Sequence, residues 1–245
     1  MEAQQGQFEA GDAQHEPTRK ERERLVRRQL MLDAACTVFA EKGYADATLD
    51  EVAQRAEFGK GTIYNYFVGG KEEILFAVFD DLYDALCRLV EETFNADQIG
   101  VGPFREVFEG FLTALFAFFQ ERQDQFMIMM KEGHRMTFTD QPEKVAYFFN
   151  QSERVIQALK GPLEAAMEKG IIRPLPPEAI AHMILGNVKG YHMHMFMQEC
   201  RWGAPALKRD GDGRPWTPPP PEQAAGFIAT FLLDGILERG ASDKP

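Results

Sequence analysis

The stretch between Thr18 and Phe67 contains helix start and stop signals at short intervals, and this spacing limits the possible folds more than any other feature. Apolar residues recur at helical spacing from Thr18 to Lys42, and Gly43 follows as the expected stop signal. The residues of this apolar period are Leu25, Leu32, Ala35, Val38 and Phe39. The pattern predicts one long first helix whose early turns are rich in arginine.

Two shorter helices are predicted directly after the first. Thr48 and Glu51 have the spacing of a capping box, in which the hydroxyl accepts one backbone amide and the carboxylate accepts another. A turn at residues 57–59 leads to a third helix, in which Ile63 and Phe67 are one turn apart and face inward. Two short helices joined by a tight turn, behind a longer basic helix, indicate a helix-turn-helix arrangement.

The remainder of the chain is also predicted to be helical, so the expected fold class is all-α. Two further helices are expected to begin at Lys71 and at Pro103. The next is expected from Pro142 to Gly170, with a kink at Gly161–Pro162. The last two are expected from Pro176–Pro177 to about Cys200 and from Glu222 to Glu238. We predict a disordered tail at 1–17, a DNA-binding domain at 18–70, an effector-binding and dimerisation domain at 71–240 with an extended Pro/Gly loop at 201–221, and a tail at 241–245.

The formal net charge of −11 is distributed unevenly along the chain. Residues 1–17 contain four acidic residues and no Lys or Arg. Residues 18–71 contain ten Lys and Arg against eight Asp and Glu, whereas residues 72–245 contain 17 against 26. This polarity permits the N-terminal helices to approach phosphates while the rest of the chain is repelled from them.

Targeting signals and reactive cysteines are not evident in the sequence. There is no uninterrupted apolar run of about 18 residues, and the N-terminus lacks the basic start and apolar stretch of a signal peptide. Cys36, Cys87 and Cys200 are isolated, which favours buried thiols in a reducing compartment. We therefore expect a cytoplasmic protein that does not interact with membranes.

From Met31 to Phe67 and into the following helix, the sequence closely resembles the DNA-binding domain of the TetR family of transcriptional regulators. The matching residues are Ala34-Ala35, Phe39, Gly43-Tyr44, Thr48, Val52-Ala53, Ala56, Lys60-Gly61-Thr62-Ile63-Tyr64, Tyr66-Phe67 and Lys71-Glu72. The resemblance implies a repressor that binds palindromic operator DNA as a homodimer and is released by a small lipophilic or aromatic ligand. The remaining helices match the family only in length and organisation.

The residues expected to contact DNA lie in or beside the three predicted helices. They are Thr48, Lys60, Gly61, Thr62, Tyr64, Asn65, Tyr66, Lys71, Arg27 and Arg28. Hydroxyls and cations at these positions suit phosphate oxygens, glycine permits close approach of the backbone, and an Asn amide can pair with adenine.

The chain departs from the family pattern at two places. The turn before the third helix reads Glu57-Phe58-Gly59 instead of a Gly-Val-Ser-like sequence, so glycine replaces serine at the helix cap. The link from Phe67 to Lys71 is also one residue longer than usual, which affects the phosphate contact expected of Lys71.

By the same resemblance, the second domain is expected to contain an effector pocket and a dimer interface. The pocket candidates are Phe104, Phe111, Phe118, Phe126, Met129, Met130, His134 and Phe149. The interface candidates are Ile180, Ile184, Val188, Tyr191, Met195, Ile228, Phe231, Leu232 and Gly235. An ordinary intrachain core is the alternative explanation for both sets.

Two alternative functions remain at this stage. The His- and Met-rich segment 191–200 suggests a metal-responsive regulator, although His192 and His194 point to nearly opposite sides of a helix and Cys200 is about 12 Å from His192 along the axis. The other alternative is a helical interaction protein that does not bind DNA. The sequence contains no phosphate-binding glycine loop, nucleophile elbow or metalloprotease spacing, so we expect no enzymatic activity, no cofactor and no metal.

Overall fold

The structure is a computed structural model, described here over residues 18–138, 141–199 and 219–234. Within those ranges the chain forms nine α-helices and no β-strand, which confirms the predicted all-α class. The helices are α1 (Arg19–Lys42), α2 (Leu49–Arg55), α3 (Lys60–Tyr66), α4 (Gly70–Thr93), α5 (Phe104–Glu121), α6 (Gln123–Thr137), α7 (Pro142–Glu168), α8 (Pro177–Glu199) and α9 (Pro221–Asp234). The predicted tails, most of the 201–221 loop and the predicted end of the last helix lie outside the described residues.

The two ends of α1 form as its sequence signals predict. The Thr18 hydroxyl accepts the amide N–H of Glu21 at 3.3 Å, and the Glu21 carboxylate accepts the Thr18 N–H at 2.7 Å. Gly43 ends the helix with φ +81°, a conformation that favours glycine. The expected apolar face is buried except for Leu25, which is 60% exposed because the first turns of α1 extend beyond the core.

The α2–α3 pair also follows the predicted pattern. Thr48 and Glu51 form the capping box, with the Thr48 hydroxyl accepting the Glu51 N–H at 3.3 Å and the Glu51 carboxylate accepting the Thr48 N–H at 3.0 Å. The departure in the turn has a structural consequence: Glu57 adopts a left-handed φ of +58°. Phe58 is half-buried against the core, and Gly59 caps α3 without a side-chain hydrogen bond.

The helix α4 connects the N-terminal helices to the rest of the molecule, packing against α1, α5, α6 and α7. Its buried residues, among them Leu75 and Phe79, belong to one continuous apolar cluster that extends from α1 to α9. A polar contact also joins α4 to α7, since Asp80 accepts hydrogen bonds from the Tyr147 hydroxyl at 2.7 Å and the Gln151 amide at 2.8 Å. The two domains predicted from the sequence therefore share a core, and their division at residue 70 stays a prediction.

The predicted kink at Gly161–Pro162 does not interrupt the helix in which it lies. α7 continues as one helix through Pro162, which lies inside it, and Gly170 with φ +67° follows its last turn. α5 is buried on several sides and packs most extensively against α9. No helix within the described ranges combines the length and apolarity needed to cross a bilayer.

The strained turn before α3 predicts a stabilising substitution. A non-glycine residue in the left-handed region costs about 1–2 kcal/mol, so Glu57→Gly should raise the free energy of unfolding by about 1 kcal/mol in urea denaturation. The matched control is Glu57→Ala, which removes the same carboxylate and keeps the strained conformation. If the alanine variant gained as much stability as the glycine variant, charge and not backbone strain would be the cause.

Candidate nucleic-acid interface and effector region

The helix α3 has one buried face and one free face. Ile63 and Phe67 are buried in the apolar cluster, and α3 packs against α2. Lys60, Tyr64 and Asn65 are exposed, and Asn65 lies directly opposite the buried pair. Gly61 and Thr62 lie beside them, and a Cβ added at Gly61 would have no atom within 4 Å. The structure therefore brings most of the predicted α3 contact residues to a surface that is open to a large partner.

Lys60 is paired within the protein by a weak surface interaction. Its ammonium lies 2.7 Å from one Asp50 carboxylate oxygen, and this neighbour raises the pKa of Lys60. Both side chains are more than half exposed, so the pair contributes little to stability and exchanges readily for a phosphate. At the start of α2, Thr48 uses its hydroxyl oxygen as the cap acceptor, and the hydroxyl proton stays available for donation.

The arginines of α1 lie against the end of α3. The guanidinium of Arg24 is 5.7 Å from the centre of the Tyr66 ring, and that of Arg28 is 5.4 Å from the centre of the Phe67 ring. Arg27 is exposed beside them. These cation–π contacts place positive charge next to α3 and hold Tyr66 half-buried. The sequence analysis missed Arg24, whose spacing of four residues from Arg28 is the signal that one helix face is basic.

Lys71 has a different environment from the one predicted for it. Its ammonium donates to the backbone carbonyls of Tyr44, Ala45 and Ala47 at 2.7, 3.0 and 2.9 Å, and it lies 4.6 Å from the centre of the Tyr44 ring. All three N–H bonds are thus used inside the protein. In this conformation Lys71 anchors the α1–α2 loop to α4, and no N–H is left for a phosphate.

Tyr44 connects the same loop to the second half of the chain. The guanidinium of Arg135, near the end of α6, lies 5.8 Å from the Tyr44 ring centre. The ring also packs edge-on against Phe39 at 5.4 Å. Tyr44 therefore contacts α1, α4 and α6 at once. In the sequence Tyr44 is notable only as part of the family resemblance, and no local pattern predicts its position between the two regions.

Most predicted pocket residues form solid core in this structure. Phe111, Phe118, Phe126 and Met129 are buried in the continuous cluster, and Met130 packs against it. His134 is exposed and stacks on Phe138, and Phe149 is 68% exposed. His134 is exposed on α6 and Phe149 is exposed on α7. This exposure argues against a place for either residue in a closed pocket. Two of the eight line clefts at the surface: Phe104 lines one at the far end of α4, and Phe118 lines another between α4 and α5.

His192 is one of two residues in the described ranges with a buried polar side-chain atom that has no hydrogen-bond partner, the other being Gln125. Its ring lies 5.7 Å from that of Phe119 and 4.9 Å from that of Phe126, and the buried Nε2 has no hydrogen-bond partner. Burial lowers the pKa of His192 to about 4, so the imidazole is neutral at physiological pH. His192 thus lies where α5, α6 and α8 meet, inside the region assigned to effector binding.

The predicted dimer-interface residues are divided between the core and the surface. Ile184, Val188 and Ile228 are buried within the chain, so their assignment to an interface is wrong for this structure: they form the inward faces of α8 and α9. Ile180, Tyr191, Met195 and Leu232 are half-buried, and Gly235 lies outside the described residues. Phe231 is 40% exposed, and two further apolar residues of these helices, Phe227 and Met183, are 59% and 57% exposed.

The metal hypothesis gains no geometric support from the residues that can be assessed. Among the described parts of the chain, no three His, Cys, Asp or Glu side chains converge in a way that would hold a metal ion. His192 faces phenyl rings, whereas His194 is exposed. Cys200 lies outside the described residues.

Known proteins resemble this chain over both the α1–α4 unit and the larger fold. Residues 31–78 match the family described as bacterial regulatory proteins, tetR family. An uncharacterised HTH-type transcriptional regulator of Bacillus subtilis, YhgD, is 29% identical over 162 residues, which are 66% of this chain and 80% of that protein. The HTH-type transcriptional repressor KstR2 of Mycobacterium tuberculosis is 25% identical over 217 residues, 87% of this chain and 94% of that protein.

The fold is also found among solved structures, over most of the chain. The transcriptional regulator FadR from Bacillus subtilis, in complex with stearoyl-CoA, superimposes with a TM-score of 0.64 at 19% identity, covering 85% of this chain and 99% of that one. A fatty acid degradation regulator from Bacillus halodurans gives a TM-score of 0.65 at 19% identity, covering 86% and 96%.

The packed α1–α3 unit, with a free face on α3 and arginines beside it, defines a helix-turn-helix DNA-binding protein. Because residues 31–78 match the family description and the relatives are transcriptional regulators, the comparisons support a TetR-like transcriptional regulator.

The two lysines near the interface are predicted to respond differently to substitution. Lys71→Met should lower the free energy of unfolding by about 1–2 kcal/mol, because it removes three hydrogen bonds from a charged donor. It should leave the salt dependence of operator binding unchanged, whereas Lys60→Met should reduce that slope by about 1 with little effect on stability. Urea denaturation and fluorescence anisotropy at several salt concentrations measure the two effects. A reduced slope for Lys71→Met would show that Lys71 leaves the loop and contacts a phosphate.

The buried imidazole predicts a pH dependence of stability. Below pH 6.5 the unfolded chain takes up a proton on His192 that the folded chain takes up only near pH 4, so stability falls as the pH is lowered. Between pH 7 and pH 5 we expect a loss of about 1–2 kcal/mol relative to His192→Met, which does not titrate. Parallel denaturation curves for both proteins isolate the effect from other acidic groups. Equal losses in the two proteins would mean that His192 is solvated in the folded state.

Proposed function

We propose that the protein is a repressor that binds a palindromic operator as a two-fold homodimer and is released by a small lipophilic ligand. α3 enters the major groove, and α1 and the start of α2 contact the flanking phosphates. The free face of α3 is the observation on which the proposal depends. It combines a cation, an amide and a phenol on one exposed surface, with Lys60, Asn65 and Tyr64 in those roles. A regulator of this kind acts in the cytoplasm on the chromosome, and we assign no catalytic activity to it.

A dimer interface on α8 and α9 supplies the two-fold symmetry that a palindrome requires. Phe227 and Phe231 are one turn apart on α9 and exposed, and Tyr191 of α8 lies 6.1 Å from the Phe227 ring. Beside them on α8, Gly186 and Gly190 have open space where a Cβ would be, which permits close approach of another helix. Exposed aromatics next to small residues suit a helix-packed interface between two copies. The two α3 helices would then lie about 34–36 Å apart.

Coupling between ligand and DNA requires a ligand that favours one geometry of the dimer over another. α6 is suited to transmit such a preference, because it packs against α1 as well as against α4 and α7. One end of α6 contacts His192 of α8 through Phe126, and the other end contacts Tyr44 through Arg135. A displacement of α6 by a ligand would therefore reach the α1–α2 loop directly.

The ligand is proposed to be lipophilic because the interior is unusually rich in aromatic and thioether side chains, with 20 Phe and 11 Met in the sequence. A regulator of the same fold was solved in complex with stearoyl-CoA. This precedent supports acyl compounds as the first class of ligand to test.

Operator recognition by α3 is tested by removing one exposed amide. Asn65→Ala should weaken operator binding about tenfold to a hundredfold, because a lost amide–base pairing costs about 1–3 kcal/mol. The matched control is Asn150→Ala, which removes an exposed amide from α7. Fluorescence anisotropy with DNA from upstream of its own gene measures both variants, and circular dichroism checks that helix content is unchanged. Operator affinity that is equal in the two variants would remove Asn65 from the reading surface.

The dimer face is tested by placing a charge on it. Phe227→Asp should raise the dimer dissociation constant about thirtyfold or more, since a central aromatic contact contributes about 2 kcal/mol or more to an interface. Phe138→Asp is the control, because Phe138 is 85% exposed but lies after α6, away from α8 and α9. Sedimentation velocity over a concentration series gives the dissociation constants. A Phe227→Asp protein that dimerises like the control would place the interface elsewhere.

A further inference from the structure

An apolar cleft of about 530 Å³ lies at the end of the molecule farthest from α3. It is lined by the first turn of α5, the end of α7 and its following loop, the first half of α8 and the end of α9. Phe104 of this lining lies 6.2 Å from Phe94, which directly follows the 24-residue helix α4. Since α4 begins beside α3 and rises about 1.5 Å per residue, the cleft is roughly 35 Å from the DNA-binding end.

The walls of the cleft are suited to an aliphatic group. Eleven of its thirteen lining residues are apolar, and the other two are Arg105 and Arg173. Ile171, Leu175 and Met183 line it and are each more than a third exposed, so the apolar surface is accessible and not closed over by the described chain. The volume lies within the range of small-molecule pockets, roughly 300–1,000 Å³.

The two arginines give the cleft its charge. Arg105 is already neutralised, because its guanidinium lies 2.6 Å from the carboxylate of Asp234 and 3.3 Å from that of Glu109. Arg173 is exposed and has no hydrogen bond or ion pair with any described residue. Both carboxylates are directed at Arg105, so Arg173 is the cleft guanidinium that is accessible to an anion. An accessible guanidinium beside an apolar wall favours a ligand with a carboxylate or phosphate at one end.

We propose that this cleft binds a single-chain aliphatic anion, with its hydrocarbon against α5, α8 and α9 and its anionic head on Arg173. Identifying this ligand as the effector rests on the proposed repressor function, whereas the binding site itself does not. A second copy of this chain is a poorer occupant, because the exposed aromatics of α9 that suit a helix-packed interface, Phe227 and Phe231, do not line the cleft.

The site is tested with hexadecanoate as the anionic probe and hexadecanol as its uncharged analogue, by displacement of a fluorescent fatty acid from the full chain. Hexadecanoate should bind at one molecule per chain and at least tenfold more tightly than hexadecanol, because a charge-assisted hydrogen bond is lost in the alcohol. Arg173→Gln should weaken hexadecanoate binding about tenfold and leave hexadecanol binding unchanged. The matched control is Arg88→Gln on α4, which removes an exposed guanidinium that does not line the cleft.

A second variant tests the apolar wall. Met183→Glu places a carboxylate at a position that is 57% exposed, so folding should be retained while hexadecanoate is repelled. Equal hexadecanoate affinity in wild type, Arg173→Gln and Arg88→Gln would overturn the proposal. A Met183→Glu protein that loses dimerisation but keeps its hexadecanoate affinity would also overturn it, since the cleft would then belong to an interface between copies.

Operator binding of the same proteins separates this inference from the repressor function. Wild-type protein that binds operator but not hexadecanoate would overturn the cleft site alone. Protein that binds hexadecanoate through Arg173 but no operator would overturn the repressor function and leave the binding site supported.

Discussion

The position of the DNA-binding helices depends on the ammonium group of Lys71 and the three carbonyls that it holds. The α1–α2 loop has few side chains that could fix it, since its backbone passes through Gly43, Ala45 and Ala47. Lys71 supplies hydrogen bonds from the first turn of α4 and also contacts the Tyr44 ring. Ion pairs of Lys42 with Glu51 and of Glu41 with Arg55 join α2 to α1, and Lys71 joins the loop between these two helices to α4. Hydrogen bonds from a charged donor to backbone carbonyls are directional, so they fix the orientation of the loop, whereas apolar packing is not directional.

The contact between Lys71 and Tyr44 also connects the exposed face of α3 to the second half of the chain. Tyr44 lies between Lys71 of α4 and Arg135 of α6. At its other end, α6 packs through Phe126 against His192 of α8. A continuous apolar core from α1 to α9 means that a rearrangement around α6 cannot be absorbed locally, because close-packed interiors transmit small displacements. The unsatisfied Nε2 of His192 makes the centre of this cluster a less stable point of the core.

Local signals were enough to predict the fold, but not which surfaces the helices share. The capping boxes at Thr18 and Thr48 and the stop at Gly43 depend on neighbouring residues, so the helix ends could be derived from the sequence. The faces of α8 and α9 could not be assigned in the same way, because both sides of these helices are apolar and only tertiary packing decides that Ile184 is buried while Phe227 is exposed. The partners of Lys71 are 24–27 residues away in sequence, and no local pattern specifies such a contact.

Hydroxyl-radical footprinting on DNA from upstream of its own gene is the most direct test of whether two copies of α3 bind successive major grooves of one operator. We expect two protected segments whose centres are about 10–10.5 base pairs apart, related by the two-fold symmetry of the site. Both segments should disappear together when the dimer is disrupted. A single protected segment, or weak protection spread evenly over the duplex, would contradict this arrangement, because it would mean that the chain binds DNA without a paired reading surface.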